Sequence, residues 1–256
     1  MVWKSITRSS IGTTHKQQQK PCQDYGCCTI CHSVILGAVA DGAGSAKFSD
    51  IGAKLAVETA LDELLQLGEY TLYLHCPPKP LPDEQARIIF ANTLKEVVAA
   101  LEKEAASSSY SIDDLACTLL VFIATPNWIS AMQVGDGFIV IHPQEEEYQL
   151  LFSPDKGEFI NETTFVTSAN ALNDMQVCVK SGKQSFICAS TDGLERVAIQ
   201  MNNWTPFSPF FKPLEEYLWE TSNPEQNDEY IRNFLESDRL NAQTNDDKTL
   251  LLCLYD

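Results

Sequence analysis

From residue 116 to residue 152 the chain reads ACTLLVFIAT, a Pro126-Asn127 turn, ISAMQV, Gly135-Asp136-Gly137, FIVIH, an acidic turn and YQLLF. Four strand-length apolar runs separated only by turn signals leave no room for a crossover helix, so they predict adjacent antiparallel strands. The same texture recurs elsewhere. Residues 2–7 predict an opening strand, and residues 25–30 and 34–40 a hairpin turning at His32-Ser33. Residues 164–167, 175–180 and 184–190 predict further strands, and KTLLLCLY closes the chain on another.

Helical periodicity is confined to blocks. Ser49 or Asp50 can cap a helix to about residue 67, with Ile51, Leu55, Leu61, Leu64 and Leu65 recurring at helical spacing. A Pro-rich break at 76–82 precedes a second helix over 83–105, which sets Ile88, Ile89, Leu94, Val97, Val98 and Leu101 along one side. Residues 194–240 are again helical in period, broken by prolines, while 9–23 and 153–163 read as polar loops. Strands, a helix pair, many strands, helices and a final strand make an α+β layered domain, because a regular βαβ alternation is missing. With 256 residues and 44 % hydrophobic content, one domain over 1–256 can bury a sizeable core.

A formal charge of −17, from 35 acidic and 18 basic side chains, opposes extended contact with nucleic acid or anionic lipid. No apolar run approaches the roughly 20 residues that span a bilayer, and MVWKSITRSS lacks a signal-peptide core, which predicts a cytoplasmic protein without membrane contact. Nine cysteines, an odd number scattered through apolar runs, predict reduced thiols.

The chemistry concentrates in four aspartates. Asp41, Asp136, Asp192 and Asp246 each stand in or beside a turn at the border of an apolar strand, the first three directly before a glycine. Taken singly, each Asp-Gly is a good turn former. Taken together at converging strand ends, the carboxylates would repel unless a cation neutralised them, and an all-oxygen set without His or Cys at ligand spacing suits Mg²⁺ or Mn²⁺ over zinc. A phosphate-binding loop is the competing reading of VADGAGSAKFS, but GAGSAKFS lacks the G-x-x-x-x-G-K-[ST] order and Asp41 would repel phosphate.

The ordered set Gln23-Asp24, VADGAG, ACTLLV, QVGDG, ASTDGL and TNDDKTLLL, running over almost the full length, resembles the metal-dependent type 2C protein serine/threonine phosphatases. GTTH at 12–15, PCQD at 21–24 and GEFINETTF at 157–165 resemble a divergent bacterial branch. The resemblance implies a four-layer α-β-β-α sandwich, two antiparallel sheets flanked by helix pairs, with two metal ions, Mn²⁺ or Mg²⁺, at one end. It implies that Asp41 bridges both ions and the Gly42 carbonyl ligates the second, that Asp192 and Asp246 hold the first, that Asp24 orients metal-bound water, and that Asp136 contributes to a weaker third site. Thr249 sets the register that puts Asp246 at the ligand position and Asp247 where the family usually has asparagine. The implied reaction is hydrolysis of phosphoserine and phosphothreonine in proteins by a hydroxide bridging the two ions. A monomer acting on phosphoproteins opposite a Ser/Thr kinase is the implied setting.

Departures from the family pattern are equally legible. Ala43 stands where classical members carry a histidine that can protonate the leaving alkoxide, and residues 16–20, a few positions before the first motif, hold no arginine, which leaves His15 with Lys16 and Lys20 to replace it at the substrate phosphate. Gln23 replaces a glutamate that holds the second ion through water, and Glu158, Asn161 and Glu162 fall in the family's flap. Lys47 reads as a surface lysine. Cys28-x-x-Cys31, beside Cys27 and His32, has no second ligand pair at zinc-ribbon spacing and reads as packing, as do the four tryptophans. A non-catalytic binding module of the same fold is the other alternative, and retained, mutually repelling carboxylates argue against it.

Overall fold

The computed structural model describes residues 2–71, 79–144, 146–152 and 163–256. Two five-stranded antiparallel sheets dominate. In the first, the order is β1 (Trp3–Ser10), β12 (Lys248–Tyr255), β9 (Gln184–Ser190), β6 (Phe138–Pro143) and β7 (Gln149–Leu150). In the second it is β2 (Asp24–Cys31), β3 (Val34–Asp41), β4 (Leu119–Thr125), β5 (Trp128–Val134) and β8 (Gln176–Ser181). The chain's first and last strands pair along their whole length, from Trp3 opposite Tyr255 to Ser10 opposite Lys248.

Side chains of alternate positions meet between the sheets, where Ile35, Val39, Leu120, Phe122, Ile139, Ile187 and Leu251 form a closed apolar layer. Each such side chain contributes about 1.5–3 kcal/mol by leaving water. The opposite face of the second sheet is covered by α2 (Ser49–Thr71) and α3 (Asp83–Ser108), and that of the first by α5 (Glu195–Ala198), α6 (Ser208–Glu220), α7 (Glu229–Glu236) and α8 (Asp238–Asn241). β4 and β5 are covered on both faces and buried at every position, which is why they are mostly apolar rather than alternating. The four-layer α-β-β-α sandwich expected from the sequence is what forms.

Several local expectations are corrected. The strands from residue 116 to 152 are not all neighbours: β4 pairs with β5, but β6 leaves for the other sheet and pairs with β9 and β7. Gly135-Asp136-Gly137 is therefore a link between sheets, not a hairpin, because both faces of each sheet need covering and the second sheet is completed by β8. Residues 164–167 form turns and no strand, and the polar segment 9–23 contains α1 (Thr13–Gln18). On α2 the buried stripe is Ala53, Ala56, Val57, Ala60, Leu61 and Leu64, with Ile51 exposed; small residues let the helix approach the sheet. On α3 Ile88 is 55 % exposed, and Trp219 is an exposed residue of α6, not a core one. Short α4 (Ala171–Asp174) precedes β8, and the two-residue strands β10 (Ile199–Gln200) and β11 (Thr205–Pro206) form a small ribbon. The expected flap residues Glu158, Asn161 and Glu162 lie outside the described residues, as do residues 76–78 of the Pro-rich break.

Antiparallel register brings the functional loops to one end. Asp24 opens β2 directly opposite Asp41, which closes β3. Leu119 at the start of β4 faces Val134 at the end of β5, so the Gly135-Asp136-Gly137 link leaves from that same end. In the other sheet Ser190, at the end of β9, faces both Phe138 and Leu250, which places Asp192 and Asp246 there as well.

Candidate metal centre

Asp41 is held by its backbone. Its N–H donates to Thr118 Oγ1 at 3.0 Å, and its carbonyl accepts from the Thr118 N–H at 2.8 Å. Gly42 bridges to Cys117, with ladder bonds on either side of it, so its own N–H points the other way and reaches the Gln23 carbonyl at 3.1 Å. Its carbonyl shares that outward direction. A Cβ on Gly42 would sit 2.7 Å from the Ser49 backbone oxygen, so glycine is required for the start of α2 to pack there.

Asp24 is buried and accepts a hydrogen bond from Thr191 Oγ1 at 2.6 Å; the same hydroxyl accepts from the Thr249 N–H at 3.1 Å. One threonine thus ties the start of β2 to the end of β9 and the start of β12. Asp192 opens a short helical turn after β9, and Gly193 beside it lies so close to the Asp247 carbonyl that a Cβ would come within 1.9 Å. Asp246 is exposed on that neighbouring loop. Asp136 is exposed and accepts from Thr163 Oγ1 at 2.6 Å, while Gln133 Nε2 donates to the Gly135 and Gly137 carbonyls at 2.8 and 3.0 Å and shapes its loop.

The carboxyl of Asp41 lies against those of Asp24 and Asp192. Burial, then the charges of Asp24, Asp192 and Asp246, push Asp41 far above the usual carboxylate range. Burial raises Asp24 to about 7 and, with Asp136 and Asp246, Asp192 to about 6. Glu195, three residues beyond Asp192, is raised to about 7 by burial and by Asp192 and Asp136. Among the described residues no lysine, arginine or histidine forms a salt bridge with any of the five aspartates. Nor, among them, are three His, Cys, Asp or Glu side chains drawn into a closed cage. Buried polar atoms without a partner, Gln23 Oε1 and Ser49 Oγ, flank Gly42. An uncompensated, all-oxygen set with orphaned neighbours fits hard divalent cations, and Asp41, Gly42, Asp192 and Asp246, with Asp136 beside them, could hold such ions.

These raised values set a sign for stability. Folded carboxyls that hold protons more tightly than the unfolded chain contribute stability that is complete below the unfolded value and is lost as pH rises through the folded one. In EDTA the melting temperature is therefore expected to fall from about pH 5 to about pH 8, across the values near 6 and 7, and Mn²⁺ should flatten that fall. A profile in EDTA that does not decline would contradict the gathering of these side chains.

Other candidates fall as follows. His15 is largely buried, and its Nδ1 lies 2.9 Å from Asp247 Oδ2. Lys16, Lys20 and Lys47 are exposed; Lys20 and Lys47, with Gln23, line a pocket of about 320 Å³, and Lys47 Nζ lies 4.8 Å from the centre of the Phe48 ring. On β2, Cys27 and Cys31 pack toward α2 while Cys28 points between the sheets, so the C-x-x-C is split across two faces. Sequence reasoning missed Gln133, Glu195 and Lys248. Lys248 is fully buried with Nζ donating to Asn241 Oδ1 at 2.9 Å and to the Asp246 carbonyl at 3.4 Å; a lone lysine entering an apolar strand was the available signal.

The sequence profile described as Protein phosphatase 2C matches residues 11–236. The chain belongs to that family. Serine/threonine-protein phosphatase 3 of Escherichia coli (strain K12) is 32 % identical over 266 residues, covering 100 % of this chain and 99 % of that protein. The fold of protein phosphatase 2C recurs in Stp1, a serine/threonine phosphatase from Staphylococcus aureus, with a TM-score of 0.64 at 12 % identity over 100 % of this chain and 96 % of the other. It recurs also in the catalytic domain of the serine/threonine protein phosphatase PstP in complex with two manganese ions, with a TM-score of 0.58 at 13 % identity, covering 99 % and 98 %.

Proposed function

We propose that this chain hydrolyses phosphoserine and phosphothreonine in proteins with two Mn²⁺ or Mg²⁺ ions bound at the aspartate cluster. The observation that carries the reading is the set of carboxyls, Asp24 buried and Asp41 and Asp192 partly buried, gathered at the sandwich end with no cationic side chain paired to them among the described residues, in a chain of this family. Divalent ions bound there would supply activation of water near neutral pH and neutralisation of the phosphoryl oxygens.

The chain's own residues do the rest. Asp41, the Gly42 carbonyl, Asp192 and Asp246 would hold the ions, with Asp136 available to a weaker one. Asp24, fixed by Thr191, would orient water. Gln23, with its unpartnered Oε1, would stand in for the family's glutamate there. Ala43 offers no proton, so water in the cleft protonates the leaving alkoxide. His15 has Nδ1 engaged by Asp247, so any contact with substrate phosphate falls to Nε2 or to Lys20. Residues 1–256 act as one domain, since β1 and β12 pair along their length. Among the described residues no helix is long and apolar enough to cross a membrane, and a monomeric cytoplasmic enzyme opposing a Ser/Thr kinase is the setting we assign.

Hydrolysis of p-nitrophenyl phosphate and of a phosphothreonine peptide, each with Mn²⁺, Mg²⁺ or EDTA, tests this. Both substrates should turn over with either ion, and EDTA should abolish turnover. Hydrolysis that survives EDTA would sink the metal-dependent reading.

A further inference from the structure

Across the outer helical layer, between α5, β10, α6, α7 and α8, runs a groove of about 1060 Å³. Its floor is apolar, with Leu214 and Leu240 buried, and its walls expose Met201, Phe207 and Tyr230 by 44 %, 40 % and 45 %. Arg196 enters it from α5 and Arg239 from α8; both are exposed, and neither forms a salt bridge among the described residues. No aspartate or glutamate is among the described residues that line it, although the chain carries 35 acidic side chains and a formal charge of −17. Glu195 and Asp238, the direct neighbours of the two arginines, are absent from the lining.

A large apolar concavity with two guanidiniums and no acid selects a ligand of matching pattern: apolar side chains to fill the floor and carboxylates to meet the arginines. Its volume exceeds that of most small-molecule pockets, and a groove between helices is the geometry that accepts one face of an amphipathic helix. A flat membrane surface would leave the floor of a concave groove unfilled, whereas a helix can enter it. We propose that this groove docks an acidic amphipathic segment of a partner protein. The site does not depend on the phosphatase reading, although α5 begins three residues after Asp192, so an occupant would lie beside the turn that carries it.

A fluorescein-labelled peptide of about 16 residues, with Leu and Phe on one helical face and Glu on the other, is the probe. Fluorescence anisotropy should saturate with a Kd on the order of 10 µM, and a version with Lys for Glu should bind at least about tenfold more weakly. The pair Arg196→Glu and Arg239→Glu should weaken binding of the acidic peptide at least about tenfold, and Phe207→Ser should weaken both peptides. All variants should keep the wild-type melting temperature and turnover of p-nitrophenyl phosphate. Equal binding of the basic peptide, wild-type binding by the arginine pair, or no saturation with either peptide overturns the proposal. So does uptake by phosphatidylglycerol vesicles without peptide binding, or a dimer in sedimentation that the arginine pair dissolves, since either assigns the groove to another occupant.

Discussion

Asp41→Asn is expected to lower turnover of a phosphothreonine peptide by at least about 10³-fold, a loss of about 4 kcal/mol in transition-state stabilisation, while raising the melting temperature in EDTA. Both effects follow from one position. Asp41 stands between Asp24 and Asp192 within the field of Asp246, and each of these neighbours makes its charge costlier. Asparagine keeps the size and the hydrogen-bonding oxygen but removes the charge, so the repulsion that bound cations would offset is relieved in their absence. A gain of about 1–2 kcal/mol, or about 2–8 °C, is the scale of such relief. The opposite pattern of stability and activity separates a ligand site from a structural carboxyl. A variant of normal activity, or one that melts lower in EDTA, would contradict the assignment of Asp41.

Asp247→Asn is expected to cost about 1–3 kcal/mol of stability, with a several-fold weaker Mn²⁺ affinity measured by calorimetry. Buried at 2 % exposure, Asp247 accepts on both oxygens: Oδ1 from the Gly12 N–H at 2.6 Å, Oδ2 from the Gln23 N–H at 2.6 Å and from His15 at 2.9 Å. An amide has one acceptor oxygen. Whichever way it turned, its NH₂ would face a backbone N–H, leaving a buried donor unpartnered. Because these bonds hold the loop carrying Asp246 to the segment leading into Asp24, their loss should loosen the site without removing a proposed ligand. Asp247→Ala should be worse than asparagine on both measures. Equal stability of wild type and Asp247→Asn would show that this latch contributes nothing.

Much of the site was legible because its chemistry is carried by residue types with few other uses at strand ends. Asp24, Asp41, Asp136, Asp192 and Asp246 each announce a turn, and their order along the chain does not depend on packing. The supporting residues were not legible in that way. Thr191 acts through hydrogen bonds to Asp24 and Thr249, both distant in sequence, and Gln133 through bonds to the Gly135 and Gly137 carbonyls that its local pattern does not announce; Lys248 alone stood out, as a lysine entering an apolar strand. Glu195 was hidden in helical periodicity, although it follows ASTDGL directly. On α2 the sequence placed Leu55, Leu61, Leu64 and Leu65 on the core side correctly and erred at Ile51, and it missed Ala53, Ala56 and Ala60 because alanines carry little periodic signal.

By itself the sequence determined the element types, the α+β layering and the set of carboxylates, because hydrophobic period and turn chemistry are local properties. Sheet membership was decided only in three dimensions. Gly135-Asp136-Gly137 reads the same whether it closes a hairpin or crosses between sheets, and the crossing is what brings Asp136 to Asp192. Asp246 and Asp247, adjacent in the loop, likewise differ only through the partners each meets: three N–H donors surround the Asp247 carboxylate and draw it inward, while Asp246 stays exposed beside the other aspartates.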